Sequence, residues 1–164
     1  MDFMETVRRR HSVRAFQVKP VSEDLLKEII NAGRLAATAR NIQPWEFVVV
    51  RDPETLASLG RQANYGRFIG SAPACIVVFC QDTKYYLEDG SAAMQNMLLA
   101  ATALGLGACW VAGDKKEYAG DIRKQLDAPD DYKLIAMMPV GYIEGEPSVK
   151  GKRDLADLIH WETF

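Results

Sequence analysis

The chain has 164 residues, a formal net charge of -2, 48% hydrophobic residues and 26% charged residues. Its length suits one domain with a hydrophobic core, and its composition excludes a disordered protein or a disulfide scaffold. The N-terminus has no basic leader followed by an apolar stretch, so we expect a single cytoplasmic domain spanning residues 1–164.

Hydrophobic periodicity predicts that helices alternate with strands. Ser22 is suited to cap a helix that follows it, and a proline in the first turn favours another helix after residue 52. In chain order the predicted elements are a helix at 3–9, a helix from 22 to about 39, a strand at 47–50, a helix at 53–63, a strand at 75–80, a helix at 89–106, a strand at 108–111, a helix at 116–126 and a strand at 134–140.

The predicted helix at 89–106 is apolar on almost every side, so it must be buried on every side, and we expect a subunit interface as its second neighbour. Two helices at the start break the regular strand–helix repeat of a doubly wound fold. We therefore predict an α+β fold with a mixed central sheet wrapped by helices. The same apolar block is interrupted by Gln95, Asn96 and glycines, which argues against a membrane span.

The three cysteines, Cys75, Cys80 and Cys109, each lie in an apolar run that is typical of a strand. No pair of them has the spacing of a zinc or iron–sulfur site. We interpret them as small buried side chains and predict no metal site.

Five basic residues, Arg8, Arg9, Arg10, Arg14 and Lys19, lie in a stretch without an acidic residue, although the chain as a whole is slightly acidic. Within this stretch the sequence Arg-His-Ser-Val-Arg at 10–14 combines guanidinium, imidazole and hydroxyl donors, which suit a phosphate. A solvated helix end is the alternative interpretation. A nucleic-acid surface is disfavoured because the chain lacks a broad excess of positive charge.

A second polar segment, residues 37–45, follows the second predicted helix. Its small residues would let a flat ring lie against the backbone, while Asn41 and Gln43 could bond to the polar edge of a heterocycle. A helix end followed by a turn is the alternative. The glycines at 105 and 107 close a helix instead of opening one, so they do not indicate a dinucleotide loop, and no P-loop sequence is present.

Taken together, these segments resemble the flavin-dependent nitroreductases. The resemblance covers nearly the whole chain in the right order, and it is carried by the following segments: Arg10-His11-Ser12, Asn41-x-Gln43-Pro44-Trp45, the Gln95-Asn96 helix that ends in Gly-Leu-Gly-Ala-Cys-Trp at 105–110, Pro139-Val140-Gly141-Tyr142, and the basic segment Lys150-Gly151-Lys152-Arg153. It implies an intimate homodimer with FMN at each of two sites built from both chains.

Residue by residue, the resemblance implies that Arg10, His11 and Ser12 bind the FMN phosphate, joined by Lys152 and Arg153 near the C-terminus. Gly151 stands where many relatives have lysine, so the register of this last pair is open.

At the flavin ring, the resemblance implies that Arg14 reaches the pyrimidine edge and tunes the reduced state. Val111, Ala112 and Gly113 would lie beside the ring, with the Ala112 amide donating to N5. Many relatives have glutamate at the position of Ala112. The partner subunit would supply Thr38, Ala39, Asn41 and Gln43, and Asn64 is a weaker match at the pyrimidine edge.

The activity implied by the resemblance is a ping-pong transfer of electrons from NADH or NADPH, through FMN, to small electrophilic acceptors such as nitroaromatics, quinones or activated enones. No protein nucleophile is needed, because the cofactor carries the redox chemistry. Two alternatives stay open: a flavin-binding module that senses or stores FMN without turnover, and a reductase driven by ferredoxin or flavodoxin.

Overall fold

The computed structural model describes residues 2–146 and 151–164, and in these the chain forms five α-helices around a five-stranded sheet. The helices are α1 (Phe3–Arg9), α2 (Glu23–Arg34), α3 (Pro53–Gln62), α4 (Tyr86–Ala103) and α5 (Ala119–Gln125). The strands are β1 (Trp45–Val50), β2 (Ala74–Gln81), β3 (Gly107–Ala108), β4 (Val111–Ala112) and β5 (Tyr132–Gly141).

The sheet has the strand order β1-β2-β5-β3, and β4 also pairs with β5. The α+β class and the helix-wrapped sheet are confirmed. All these strand pairs are antiparallel, and among the described residues the parallel component is one bridge between Ser12 and Ala108. Alternating helices and strands did not determine strand direction, because a helix with its loops is long enough to return the chain to either end of a sheet.

β3 and β4 occupy one stretch of chain, which the sequence predicted as a single strand at 108–111. Both pair with β5 in the same register, Ala108 opposite Val140 and Val111 opposite Met137. Between them the chain lies opposite Pro139, whose carbonyl accepts from the Cys109 N–H at 3.3 Å but which has no N–H to donate in return. Pro139 of β5 therefore separates β3 from β4.

The sheet separates two apolar clusters. On one face α2 and α4 pack against alternate side chains of β2 and β5, and on the other face α3 and α5 pack against the intervening ones. α4 contacts α1, α2 and four of the strands. The neighbours of this apolar helix in the described residues thus include two helices of the same chain, and the subunit interface that the sequence suggested as a further neighbour stays a prediction.

Local hydrogen bonds explain where the helices begin and end. Asp2, Ser22 and Asp52 each accept from a backbone N–H of the following turn, as helix N-caps do. α4 ends with the left-handed Gly105, whose N–H donates to Thr102 while the N–H of the next residue donates to Ala101. This motif ends the helix at Ala103, three residues before the predicted limit.

Other predicted boundaries were wrong by several residues. α2 ends at Arg34 instead of near Ala39, because the backbone there is drawn into tertiary hydrogen bonds described below. α4 begins at Tyr86, three residues before the predicted start, and α5 begins at Ala119 because a turn around the left-handed Lys115 occupies the preceding residues. In the described residues no helix is both long and apolar enough to cross a bilayer.

The core makes a direct prediction about stability. Leu59 of α3 is completely buried, so the Leu59→Ala variant should lower the free energy of unfolding by about 2–5 kcal/mol through lost apolar contact and a residual cavity. The matched variant Leu104→Ala, at a residue that is 39% exposed, should lose less than about 1 kcal/mol. Urea unfolding measures both. Equal losses in the two variants would contradict the described core.

Candidate functional site

The basic segment at 10–14 lies along the outer edge of the strand that carries β3. The Val13 N–H donates to the Ala108 carbonyl at 2.9 Å, and Ser12 forms a parallel bridge with Ala108. Because β3 pairs with β5 on its other side, this contact places the basic segment where the sheet would otherwise have a free edge.

Three side chains of this segment converge near Cys109. Burial raises the pKa of the Cys109 thiol, while the Arg14 charge, the Ser12 side chain and the Arg10 charge oppose that rise. Their shared influence on one sulfur places them in one neighbourhood. Two cations and a hydroxyl in one place form a donor set that suits an anion.

His11 adds a further donor or acceptor that the chain does not use. Its Nδ1 lies 2.7 Å from the Arg9 carbonyl oxygen. Its Nε2 is shielded from solvent and has no hydrogen-bond partner among the described residues. Buried polar atoms are nearly always paired, so this nitrogen indicates a ligand.

Further along the same edge, Ala112 presents its backbone outward. The Cys109 N–H donates to Pro139, and the Gly113 N–H donates to Ile135 at 3.0 Å, so odd-numbered residues face β5. In an antiparallel pair such residues alternate with residues whose N–H and carbonyl point to the other side. The Ala112 N–H therefore points away from β5, on the edge where Val13 contacts Ala108.

The Ala112 carbonyl, on the same side, accepts a hydrogen bond from the Tyr118 hydroxyl. This bond fixes the orientation of residue 112 while the N–H of Ala112 remains directed outward. Burial raises the pKa of Tyr118, so its hydroxyl keeps the proton that it donates. Sequence reasoning missed Tyr118, and its only signal was an aromatic residue in a polar loop.

The two predicted ends of the site share one edge of the sheet. Ala108, beside the basic segment at 10–14, and Ala112 are four residues apart, or about 13 Å along a strand. The loop at 63–66 lies beside this stretch, because a Cβ on Gly66 would come within 3.3 Å of a Val111 methyl. That contact places the weaker candidate, the exposed Asn64, in a loop next to the same edge.

The Arg14 side chain has a defined position. Its guanidinium carbon lies 5.7 Å from the centre of the Phe68 ring, which is a cation–π contact. Phe68 belongs to the short 3-10 helix Arg67–Ser71 and packs against the core. The aromatic ring thus holds the cation next to the edge that carries residues 108–113.

The second polar segment forms a separate group, held by a buried carboxylate. Asp89 of α4 is 4% exposed, and its two oxygens accept from the Thr38 hydroxyl at 2.9 Å and from the Ala39 N–H at 3.0 Å. The Gln43 N–H in turn donates to the Thr38 hydroxyl oxygen at 3.1 Å. Asp89 therefore organises the whole loop at 38–43.

The conformation of this loop is unusual for its sequence. Arg40, Asn41 and Gln43 all have left-handed backbone angles, with φ of 55°, 57° and 54°. Non-glycine residues adopt this conformation at an energetic cost, so the surrounding hydrogen bonds must maintain it. Sequence reasoning anticipated the tolerance of Asn41 but missed Asp89, which is one of two adjacent carboxylates, Glu88 and Asp89, in the first turn of a mostly apolar helix.

The first turns of α4 bring this loop towards the first group. The Tyr86 hydroxyl donates to Asp114 at 2.9 Å, one turn before Asp89 on the helix, and this bond is the largest cause that raises the pKa of Tyr86 to about 12. Among the described residues no hydrogen bond joins the loop at 38–43 to residues 10–14 or 111–113. The two groups are neighbours along α4 and share no hydrogen bond in the described residues.

The C-terminal basic pair makes no hydrogen bond to either group in the described residues. Lys152 and Arg153 are exposed, and the Arg153 guanidinium donates to the Asp157 carbonyl in the same tail. Lys150, the first residue of the predicted basic segment, lies outside the described residues. A direct contact between this pair and residues 10–12 stays a prediction.

The arrangement favours an anionic ligand. Among residues 2–146 and 151–164 no cluster of His, Cys, Asp or Glu could hold a metal ion. All three cysteines are buried, and burial raises the pKa of Cys80 to about 12, so its thiol is inert. What remains is a set of cations, an imidazole nitrogen without a partner among the described residues and an outward backbone amide on one edge, which together suit an anion.

The chain is similar to known sequences over almost its whole length. The sequence model of a family described as "Putative TM nitroreductase" matches residues 2–163. A protein of Methanothermobacter thermautotrophicus named "Putative NADH dehydrogenase/NAD(P)H nitroreductase" is 34% identical over 172 aligned residues, which cover 100% of this chain and 88% of the relative.

Solved structures are similar over the full chain. A crystal structure from Parabacteroides distasonis, also named "Putative NADH dehydrogenase/NAD(P)H nitroreductase", superposes with a TM-score of 0.94 at 32% identity and covers 99% of this chain and 98% of that one. A structure from Desulfovibrio desulfuricans, described as a "putative nitroreductase in complex with fmn", has a TM-score of 0.88 at 30% identity and covers 100% of this chain and 98% of that one.

A substitution at Asp89 tests whether its carboxylate holds the loop at 38–43. The Asp89→Asn variant replaces one acceptor by an amide that faces a donor, so it should lower the free energy of unfolding by about 1–3 kcal/mol and speed hydrogen exchange at the Ala39 and Gln43 amides. The control Asp24→Asn changes an exposed carboxylate on α2 and should cost less than about 1 kcal/mol. Unchanged exchange at Ala39 in the Asp89 variant would show that the carboxylate does not hold the loop.

Proposed function

The chain belongs to the nitroreductase family, and on this premise we propose that it is an FMN-dependent oxidoreductase that passes electrons from NAD(P)H to small electrophilic acceptors such as nitroaromatics, quinones or activated enones. The proposal rests on one observation, made at the edge of the sheet beside β3 and β4. There the basic segment, with the unpaired His11 Nε2, and the outward Ala112 amide lie at the two ends of one stretch of backbone.

The residues present fit the phosphate end of FMN. Arg10, His11 and Ser12 supply a guanidinium, an imidazole nitrogen without a partner and a hydroxyl beside Ala108. Charge-assisted hydrogen bonds from such groups bind a dianionic phosphate strongly. Lys152 and Arg153 would complete this site once the exposed tail is docked.

The residues at 111–113 fit the ring end. The Tyr118 hydroxyl donates to the Ala112 carbonyl and so fixes the orientation of this residue. The Ala112 N–H would then donate to ring N5. The Arg14 cation, positioned over Phe68, would lie at the pyrimidine edge and favour the reduced, negatively charged ring. When bound, FMN supplies the hydride chemistry, while these residues bind, orient and shield it.

A homodimer would complete the site. Apolar side chains of α1 and of the tail are exposed in the single chain, including Phe3 at 69% and Trp161 at 81%. Exposed apolar surface of this kind marks an interface, and symmetric dimers are the commonest solution. In this arrangement the loop with Thr38, Ala39, Asn41 and Gln43 lies along the flavin of the other subunit.

Donor and acceptor would use one binding position in turn, which is a ping-pong mechanism. The sequence has no dinucleotide-binding loop, so NAD(P)H would need only to stack briefly on the exposed ring and leave. Ala112 has no carboxylate to contact either ligand, which leaves a small, uncharged side chain at the position nearest to N5.

Anaerobic stopped-flow reduction tests the activity. The purified protein should be yellow, NADH or NADPH should bleach the visible flavin band, and a quinone or nitroaromatic should restore it without a ternary complex. Bleaching by reduced ferredoxin or flavodoxin alone would replace the proposed donor. A flavin that resists every donor would indicate a binding module without turnover.

The Arg10→Gln variant tests the phosphate end. Loss of one charge-assisted contact should weaken FMN binding by about 10–100-fold, equivalent to about 1.5–3 kcal/mol, and leave riboflavin binding unchanged, because riboflavin has no phosphate. The control Arg34→Gln, at the end of α2, should bind both flavins normally. Flavin fluorescence quenching gives both dissociation constants. Parallel weakening of riboflavin would place Arg10 elsewhere on the ligand.

A separate prediction concerns the C-terminal tail, residues 151–164. Trp161→Ala should shift the dimer towards monomer at least tenfold in sedimentation velocity, because a buried aromatic anchor contributes several kcal/mol to an interface. The control Tyr65→Ala removes another highly exposed aromatic side chain, outside the tail, and should leave the dimer intact. A dimer unaffected by Trp161→Ala would mean that the tail covers its own chain.

A further inference from the structure

The buried carboxylate of Asp89 has no cation beside it. Among residues 2–146 and 151–164 no salt bridge includes Asp89, and its two oxygens accept from Thr38 and Ala39. Burying a carboxylate without a cation is unfavourable, and an apolar side chain would occupy the same position in α4 at a lower cost. Stability alone therefore does not account for Asp89, which points to a role in the loop at 38–43 that it binds.

The Thr38 hydroxyl links Asp89 to the far end of this loop. The Gln43 N–H can only donate, so it uses a lone pair of the Thr38 hydroxyl oxygen. The single proton of that hydroxyl is then directed to Asp89, at 2.9 Å. Because Asp89 also accepts from the Ala39 N–H, one carboxylate fixes both ends of the loop.

Between these two ends the loop is exposed to solvent. All residues from 40 to 43 are exposed, although Arg40, Asn41 and Gln43 have left-handed backbone angles. The Gln43 side-chain amide donates to the Asn41 side-chain oxygen at 3.2 Å, so the two amides are ordered relative to each other. An exposed loop gains little from its own packing, and a strained conformation that is nevertheless maintained indicates a surface shaped for a ligand.

A second polar side chain lies on the same face of α4. Asn96 comes two helical turns after Asp89, and its amide donates to the Ala32 carbonyl of α2 at 3.1 Å. The two residues hold different elements, since the Asn96 side chain bonds to α2 whereas the Asp89 side chain bonds to the loop that follows it. Asn96 therefore offers a matched comparison for a substitution at Asp89.

We propose that Asp89 is a positioning residue for the flavin site of the other subunit. Through Thr38 and Ala39 it holds the loop at 38–43 in the conformation that lies along the ring system. The inference rests on the proposed function and adds to it a residue that is buried and acts only through the loop. A change on α4 of one chain thereby alters the site whose basic segment belongs to its partner.

Flavin affinities give the first test. Asp89→Asn should weaken FMN and riboflavin binding by the same factor, about tenfold, because the loop lies along the ring that both flavins carry and one hydrogen bond is lost. This equal loss separates Asp89 from Arg10, whose substitution should affect FMN alone. The control Asn96→Ala removes a hydrogen bond from the same face of α4 and should leave both affinities unchanged, even where it lowers the unfolding temperature.

Thr38→Val tests the link through the hydroxyl, and it serves as the second variant if Asp89→Asn does not fold. Valine keeps the shape of threonine but has no hydroxyl, so both flavins should bind about tenfold more weakly, and Thr38→Ser should recover this loss. In the double variant with Asp89→Asn the loss should be smaller than the sum of the two, because both residues act through one chain of hydrogen bonds. Fully additive losses would contradict the positioning role.

A mixed dimer tests the action across the interface. It combines one Asp89→Asn chain with one Arg10→Gln chain, and two affinity tags allow its purification. One site then pairs the intact basic segment of the first chain with the intact loop of the second, while the other site carries both defects. We expect one FMN site of wild-type affinity per mixed dimer, although neither parent homodimer has one.

The outcomes separate this inference from the proposed function. If Asp89 served only the stability of its own chain, both sites of the mixed dimer would be impaired and no site of wild-type affinity would remain. That result, or unchanged flavin affinity in Asp89→Asn, overturns the role of Asp89 and leaves the oxidoreductase intact. Wild-type protein that binds no flavin overturns the proposed function, and the inference with it.

Discussion

The antiparallel pairing of residues 107–113 with β5 is the constraint on which the candidate site depends. Because odd-numbered residues face β5, the backbone groups of Ala108 and Ala112 are directed to the opposite edge. The Ala108 carbonyl binds Val13 and so fixes the basic segment in place. One register thereby aligns the basic segment and an outward amide at a set separation, and a shift of one residue would turn both away.

The second support of the account is the carboxylate of Asp89 inside an apolar helix. Burying a charge is unfavourable unless hydrogen bonds compensate, and here both oxygens accept bonds from the loop at 38–43. The loop in return keeps three residues in left-handed conformations that isolated peptides avoid. In the proposed dimer this costly arrangement has a use, since it presents backbone and amide groups to a flavin held mainly by the other subunit.

The sequence predicted the local features well and the tertiary ones poorly. α1, α3 and the central strands follow from caps and apolar runs, and the basic segment was recognisable from charge alone. The end of α2 was not recognisable from the sequence, because it depends on a hydrogen bond from Ala39 to Asp89, fifty residues further along the chain. The break between β3 and β4 depends on Pro139 across the sheet. The unpaired Nε2 of His11 likewise emerges only from packing, since composition says nothing about which atoms are shielded.

The most direct test of the central claim is a titration of the nitrogen-15-labelled protein with FMN and with riboflavin, followed by the backbone amide signals. If the edge beside β3 and β4 binds the cofactor as proposed, the Ala112 amide shifts strongly with both ligands, because both carry the ring. The Ser12 amide shifts strongly only with FMN, which alone carries the phosphate. An Ala112 signal that stays unchanged while FMN binds would contradict the account.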